Sequence, residues 1–225
     1  MSPEGEFLVG NFAILQKNKA RKLMNTALTK WKRRSPALLP VPEKDIAIYG
    51  GGEPQPGGVK LKIAYRDLPR GDIVRPANAH IQNPYNLGWY DLSASEAQRF
   101  RTDSREPVAI PEPLFLKLAT TTLKDAVRGQ TGEWDESALR GGSLTTQMVS
   151  PGKFQLKGTI NLTDGTPSFV VQLYGQAIYN KQAKKFVEFE LVAVGQRTGK
   201  NGANGRANDL GPAPMGVAFR LFTTD

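Results

Sequence analysis

Phe154-Gln155-Leu156-Lys157-Gly158-Thr159-Ile160-Asn161-Leu162 sets apolar or small residues against polar ones without a break. A period of two places Phe154, Leu156, Ile160 and Leu162 on one face of a strand and the polar residues on the other, so one face is buried. The pattern extends in both directions. Upstream, Leu144, Thr146 and Met148 alternate with Thr145, Gln147 and Val149. Downstream, Thr163-Asp164-Gly165-Thr166 has hairpin chemistry and leads into Phe169, Val171, Leu173, Ala177 and Tyr179. The polar turn Asn180 to Lys185 precedes Val187, Phe189, Leu191 and Ala193, which are expected to face inward, and a last strand carries Met215, Val217, Phe219 and Leu221. Far upstream, Val59, Leu61, Ile63 and Tyr65 alternate with Lys60, Lys62 and Ala64. About six strands joined largely by short turns imply a mainly β (α+β) fold. Such a fold guards its edges by closing into an antiparallel barrel or by folding as a sandwich.

Two short helices are expected within this β-domain. Ser93 and Glu96 form a capping-box pattern for a helix reaching about Phe100. Pro113 to Arg128 has proline in its first turn and Gly129 just beyond its end. Residues 66 to 92, rich in proline and glycine and without periodicity, read as an ordered crossing loop. Before the β-domain, Phe12 to Arg34 reads as a helix, with Ala20, Leu23, Met24, Ala27 and Trp31 on one stripe and Ser35-Pro36 ending it. After a short strand at Ile46 to Tyr49, the run Gly50 to Gly58 is a Gly/Pro linker. The expected organisation is a basic helical arm over 1–49, a linker over 50–58 and an antiparallel β-domain with inserted helices over 59–225.

The chain has 225 residues, no cysteine and a formal charge of +9. Without cysteine, disulfides, zinc–thiolate sites, iron–sulfur clusters and thiol nucleophiles are excluded, and no cofactor is expected. No apolar run is long enough for a membrane span, and the N-terminus lacks the apolar stretch of a signal peptide, so the expected location is cytoplasmic unless the N-terminus is processed. Charge is concentrated. Lys17 to Arg34 holds eight Lys or Arg and no Asp or Glu, and the rest of the chain is nearly balanced. Such a segment favours acidic partners.

The run Phe186 to Gly195, followed by Asn204-Gly205-Arg206 and by Asp209 to Val217, is similar to the ending of a family of uncharacterised bacterial proteins of planctomycete type. The segment Leu61 to Leu68 and the segment ending Val127-Arg128-Gly129-Gln130 also resemble parts of that family. The resemblance covers Val59 to the C-terminus in patches. It implies a β-rich C-terminal domain and no particular activity; many members are presumed exported.

Four features carry candidate chemistry. His80, the only histidine, lies in an aromatic, amide-rich loop and makes a general base only if Asp91 or Asp72 orients it, which is the basis of a hydrolase reading around His80 and Asp91. Glu188 and Glu190 share one strand face as a glycosidase pair would, although two solvated glutamates give the same pattern. The loop from Gln196 to Pro212 could form a backbone nest for an anion, with Arg197, Lys200 and Arg206 adding charge. The fourth is the arm itself, where Lys17, Lys19, Arg21, Lys22, Lys30, Arg33 and Arg34 surround an apolar stripe containing Trp31. Together these favour a non-enzymatic binding or accessory subunit that docks by its arm on a protein partner or larger assembly. An anionic membrane surface ranks second, and nucleic acid third because no reading motif accompanies the charge.

Overall fold

The computed structural model describes residues 55–70, 85–129, 131–201 and 204–223, together with Asn25, Thr26 and Thr29 in helical conformation. The chain divides into two compact units, Met1–Tyr49 and Gly50–Asp225. The second unit contains strands β1 (Val59–Asp67), β2 (Tyr85–Leu92), β3 (Val108–Ala109), β4 (Leu139–Ser150), β5 (Lys153–Thr163), β6 (Ser168–Asn180), β7 (Lys185–Thr198) and β8 (Ala213–Leu221). Helices α1 (Ala94–Gln98) and α2 (Glu112–Thr122) are inserted between β2 and β4. All eight strands pair antiparallel in one sheet, in the order β2-β1-β8-β7-β6-β5-β4-β3.

This sheet is mainly β as expected, but it is open: it is neither a closed barrel nor a sandwich, and it has eight strands instead of six. The physical reason lies on its inner face. Leu114, Phe115, Leu118 and Ala119 of α2, with Ala97 of α1 and Phe100 just after it, are buried in the same core as the inward residues of β1 and β4 to β8. An eight-stranded barrel has room inside only for side chains. A sheet of this size that packs helices on its inner face has no space left to close.

The two strands missed by periodicity, β2 and β3, are the two edges. An edge strand needs no clean alternation: β2 interrupts its pattern with Gly88, and β3 is two residues long. The expected inward sets otherwise hold, with Phe154, Leu156, Ile160 and Leu162 all buried. Val187 is the exception and is 46% exposed. A register shift in the β6–β7 pairing, where Tyr179 opposes Phe186 and Ile178 opposes Glu188, leaves Val187 as the extra residue and turns Phe186 inward instead.

The capping box forms as expected. Glu96 N–H donates to Ser93 Oγ at 3.3 Å, and Ser93 N–H donates to Glu96 Oε2 at 2.8 Å. Helix α2 ends at Thr122, six residues before the expected Arg128. Thr120, Thr121 and Thr122 turn their hydroxyls back to the carbonyls of Leu116, Lys117 and Leu118 at 2.9, 2.8 and 2.5 Å. Such bonds and β-branching weaken a helix end. Leu123 leaves the helix at φ −88°, ψ 69°, and Trp134 fixes the exit by donating from Nε1 to the Leu123 carbonyl at 2.7 Å. That exit carries Asp125 and Arg128 to the ends of β1 and β7.

Candidate functional site

At those strand ends four arginines and three aspartates form a buried ionic network. Arg206 is at its centre and is wholly inaccessible. Its Nη1 and Nη2 donate to Asp67 at 2.9 and 2.7 Å, and its Nε and Nη2 donate to the two oxygens of Asp125 at 2.7 Å each. Arg70 holds Asp209 in a two-bond fork at 2.7 and 2.6 Å. Arg128 Nη2 reaches both Asp67 and Asp209 at 2.8 Å. Arg197 Nη1 donates to the Asp209 main-chain carbonyl at 2.6 Å, and its Nη2 lies 2.7 Å from the Asp209 carboxylate. The planar fork of arginine suits such two-bond contacts. The network ties together four segments distant in sequence: the end of β1, the exit from α2, the end of β7 and the loop before β8.

Burial alone would raise the carboxyls of Asp67 and Asp209. The hydrogen bonds and charge of Arg206 and Arg128 at Asp67, and of Arg70 and Arg197 at Asp209, outweigh it and hold both below the ordinary 3.8. Burial, followed by the like charge of Arg206, lowers Arg197, whereas Asp125 and Asp67 outweigh burial at Arg206 and raise it. Carboxyls depressed in the folded state bind fewer protons there than when unfolded. Their contribution is complete above the unfolded value near 3.8 and is lost as pH falls through the folded values. Urea midpoints are therefore expected to fall more steeply below pH 4 in the native chain than in Asp209→Asn. Parallel acid limbs in the two proteins would contradict this.

The expected anion nest in the Gln196 to Pro212 loop is thus corrected for two of its three cations. Arg197 and Arg206 point inward and are already paired with aspartates; Lys200 alone remains exposed. Gly199, Gly205 and Gly211 all have φ between 69° and 81°, so the loop folds back and returns Arg206 to the sheet. Glu188 and Glu190 lie on the outer face, where Glu188 accepts a hydrogen bond from Gln176 and Glu190 is 3.7 Å from Arg220. Asp91 is exposed on β2 and lies 3.6 Å from Lys60. His80 and the arm residues Lys17, Lys19, Arg21, Lys22, Lys30, Trp31, Arg33 and Arg34 lie outside the described residues, as does the short strand expected at Ile46 to Tyr49. Among the described residues no group of three or more His, Asp or Glu is placed to hold a metal ion, and no helix is long and apolar enough to cross a membrane.

The largest of the described clefts, about 620 Å³, runs between β2 and the C-terminal half of α2. Six successive residues of β2, Asn86 to Asp91, line it. Tyr65 of β1 also lines it, so the cleft lies along the margin of the sheet where β2 faces α2. Lys117 and Thr121, one turn apart on α2, form the opposite wall, and Lys124 and Glu133 continue it. Lys117 Nζ pairs with Glu96 at 2.7 Å and sits 5.6 Å from the centre of the Tyr90 ring. Tyr90 Oη is buried with no hydrogen-bond partner among the described residues, and burial, followed by the charge of Glu96, pushes that phenol up. Asn86 closes one end by donating from Nδ2 to the Ala126 carbonyl at 2.8 Å.

In comparisons with protein-family models, curated proteins and solved structures, the chain matches none.

Proposed function

We propose that this chain is a non-catalytic binding or accessory subunit that docks on an acidic surface of a larger protein assembly through its basic arm. The supporting observation is where the charge lies. The segment Lys17 to Arg34 contributes +8 of the formal +9, leaving +1 for the remainder. In the β-unit the buried arginines are matched to aspartates and the inward strand faces are apolar. A chain built this way has its densest unmatched charge in one segment of the arm and an apolar, ion-paired interior in the β-unit, which suits contact with a partner better than turnover of a substrate.

The test is the full-length triple variant Lys30→Glu, Arg33→Glu, Arg34→Glu, recovered with its native partners from the source cells. Recovery of the co-purifying protein is expected to drop at least tenfold, and the partner's association rate to lose most of its salt dependence, with an unchanged melting temperature. Equal recovery of partner by native and variant chains sinks the docking role. Loss of lipid or nucleic acid in place of protein would reassign the arm's target.

A further inference from the structure

We propose that the cleft between β2 and α2 is a peptide-binding groove, in which an extended segment of another protein adds a ninth strand to the edge of β2 that is unpaired among the described residues. This is a second contact, independent of the arm. The backbone register carries the argument. Phe222 N–H donates to the Lys60 carbonyl and Leu68 N–H donates to the Pro214 carbonyl, so the even-numbered residues of β1 bond to β8. The odd-numbered residues Leu61, Ile63 and Tyr65 therefore bond to their β2 partners Tyr90, Gly88 and Asn86. Leu87, Trp89 and Asp91 must then direct their main-chain N–H and C=O groups away from β1, at the margin of the sheet where these three residues also line the cleft.

One of those groups is already occupied: Leu87 N–H donates to Asn86 Oδ1 at 2.8 Å. The Leu87 carbonyl and both main-chain groups of Trp89 and Asp91 have no partner among the described residues and stand in a row spanning ~13 Å from Leu87 to Asp91, which suits four or five residues of a strand. An edge strand flanked by a helix is the arrangement in which main-chain bonds supply affinity and the helix wall reads alternate side chains. Here the wall presents Lys124, which has no ion pair among the described residues, and Glu133. The expected ligand is therefore an extended peptide of mixed charge, with a carboxylate for Lys124 and a cation for Glu133. Lys117 and Lys124 are offset in the lining by Asp91 and Glu133, so the groove has no excess positive charge for a nucleic-acid strand.

The experiment selects a displayed library of random octapeptides against the full-length chain and measures the best sequences as synthetic peptides. We expect an enriched family with an acidic residue at a fixed place. Affinity should fall at least tenfold when alternate peptide amides are N-methylated, and about tenfold in Lys124→Glu. In the bound state the amides of Trp89 and Asp91 should exchange with solvent at least tenfold more slowly. The arm variant Lys30→Glu, Arg33→Glu, Arg34→Glu should bind these peptides normally, so failure of the arm and failure of the groove are read separately. No enriched family overturns the proposal, as does binding indifferent to N-methylation, to Lys124→Glu or at the Trp89 and Asp91 amides.

Discussion

Arg206→Ala is expected to destabilise the β-unit by about 3–5 kcal/mol, the range for removing one partner of a buried ion network. Arg206 donates to both oxygens of Asp67 and of Asp125, and its Nη1 is 3.2 Å from Asp209. Its loss leaves buried carboxylates short of the hydrogen bonds that offset their desolvation. Arg206→Lys separates charge from geometry. A lysine restores the charge but cannot fork to two carboxylates at once, so an intermediate loss is expected. Urea unfolding of the three proteins measures both. A cost below about 1 kcal/mol for Arg206→Ala, the level of an exposed pair, would show that the network is solvated.

Gly195→Ala is the second large effect, at about 1–3 kcal/mol for an added methyl with no room. Gly195 lies in β7 opposite Val171 of β6 and Met215 of β8. A Cβ there would stand 1.9 Å from the Val170 carbonyl oxygen and 2.7 Å from the Val171 Cα. Both are main-chain atoms of the paired strand, so relief requires β6 and β7 to part, in the middle of the sheet. Gly132→Ala is the control. Its Cβ would meet nothing within 4 Å, and its stability should be unchanged within the error of a thermal melt. Equal melting temperatures for Gly195→Ala and the native chain would contradict the close approach of these strands.

The sequence was most legible where one physical rule acted alone. In β5 and β6 the solvated outer face and buried inner face write an alternation that needs no tertiary information, and the large apolar residues so read are buried, with Tyr179 half-buried at the strand end. The capping box at Ser93 is equally local. The ends of elements were less legible because their causes are distant. Helix α2 stops early where Asp125 and Arg128 are drawn into a network whose other members are Asp67, Arg70, Arg197, Arg206 and Asp209. No local spacing reveals a pair such as Arg206 and Asp67, which lie 139 residues apart.

The site was less legible still. Arg197 and Arg206 stood out for their charge, whereas the signal of their burial was the presence of acidic partners elsewhere: Asp67 closing a clean strand pattern and Asp125 just past a helix. The β2 groove left almost no trace, since an edge strand is defined by the neighbour it lacks. Its only marks were the aromatic residues Tyr85, Trp89 and Tyr90 around Gly88, in a stretch that otherwise read as loop.

Residue-resolved hydrogen exchange along β2 in the full-length chain tests most directly whether this open sheet offers a usable edge. The account predicts an alternation: amides of Gly88 and Tyr90, bonded to β1, exchange slowly, and those of Trp89 and Asp91, pointing away from β1, exchange at least tenfold faster. Uniform slow exchange from Gly88 to Asp91 would mean that the edge is already covered, and would contradict it.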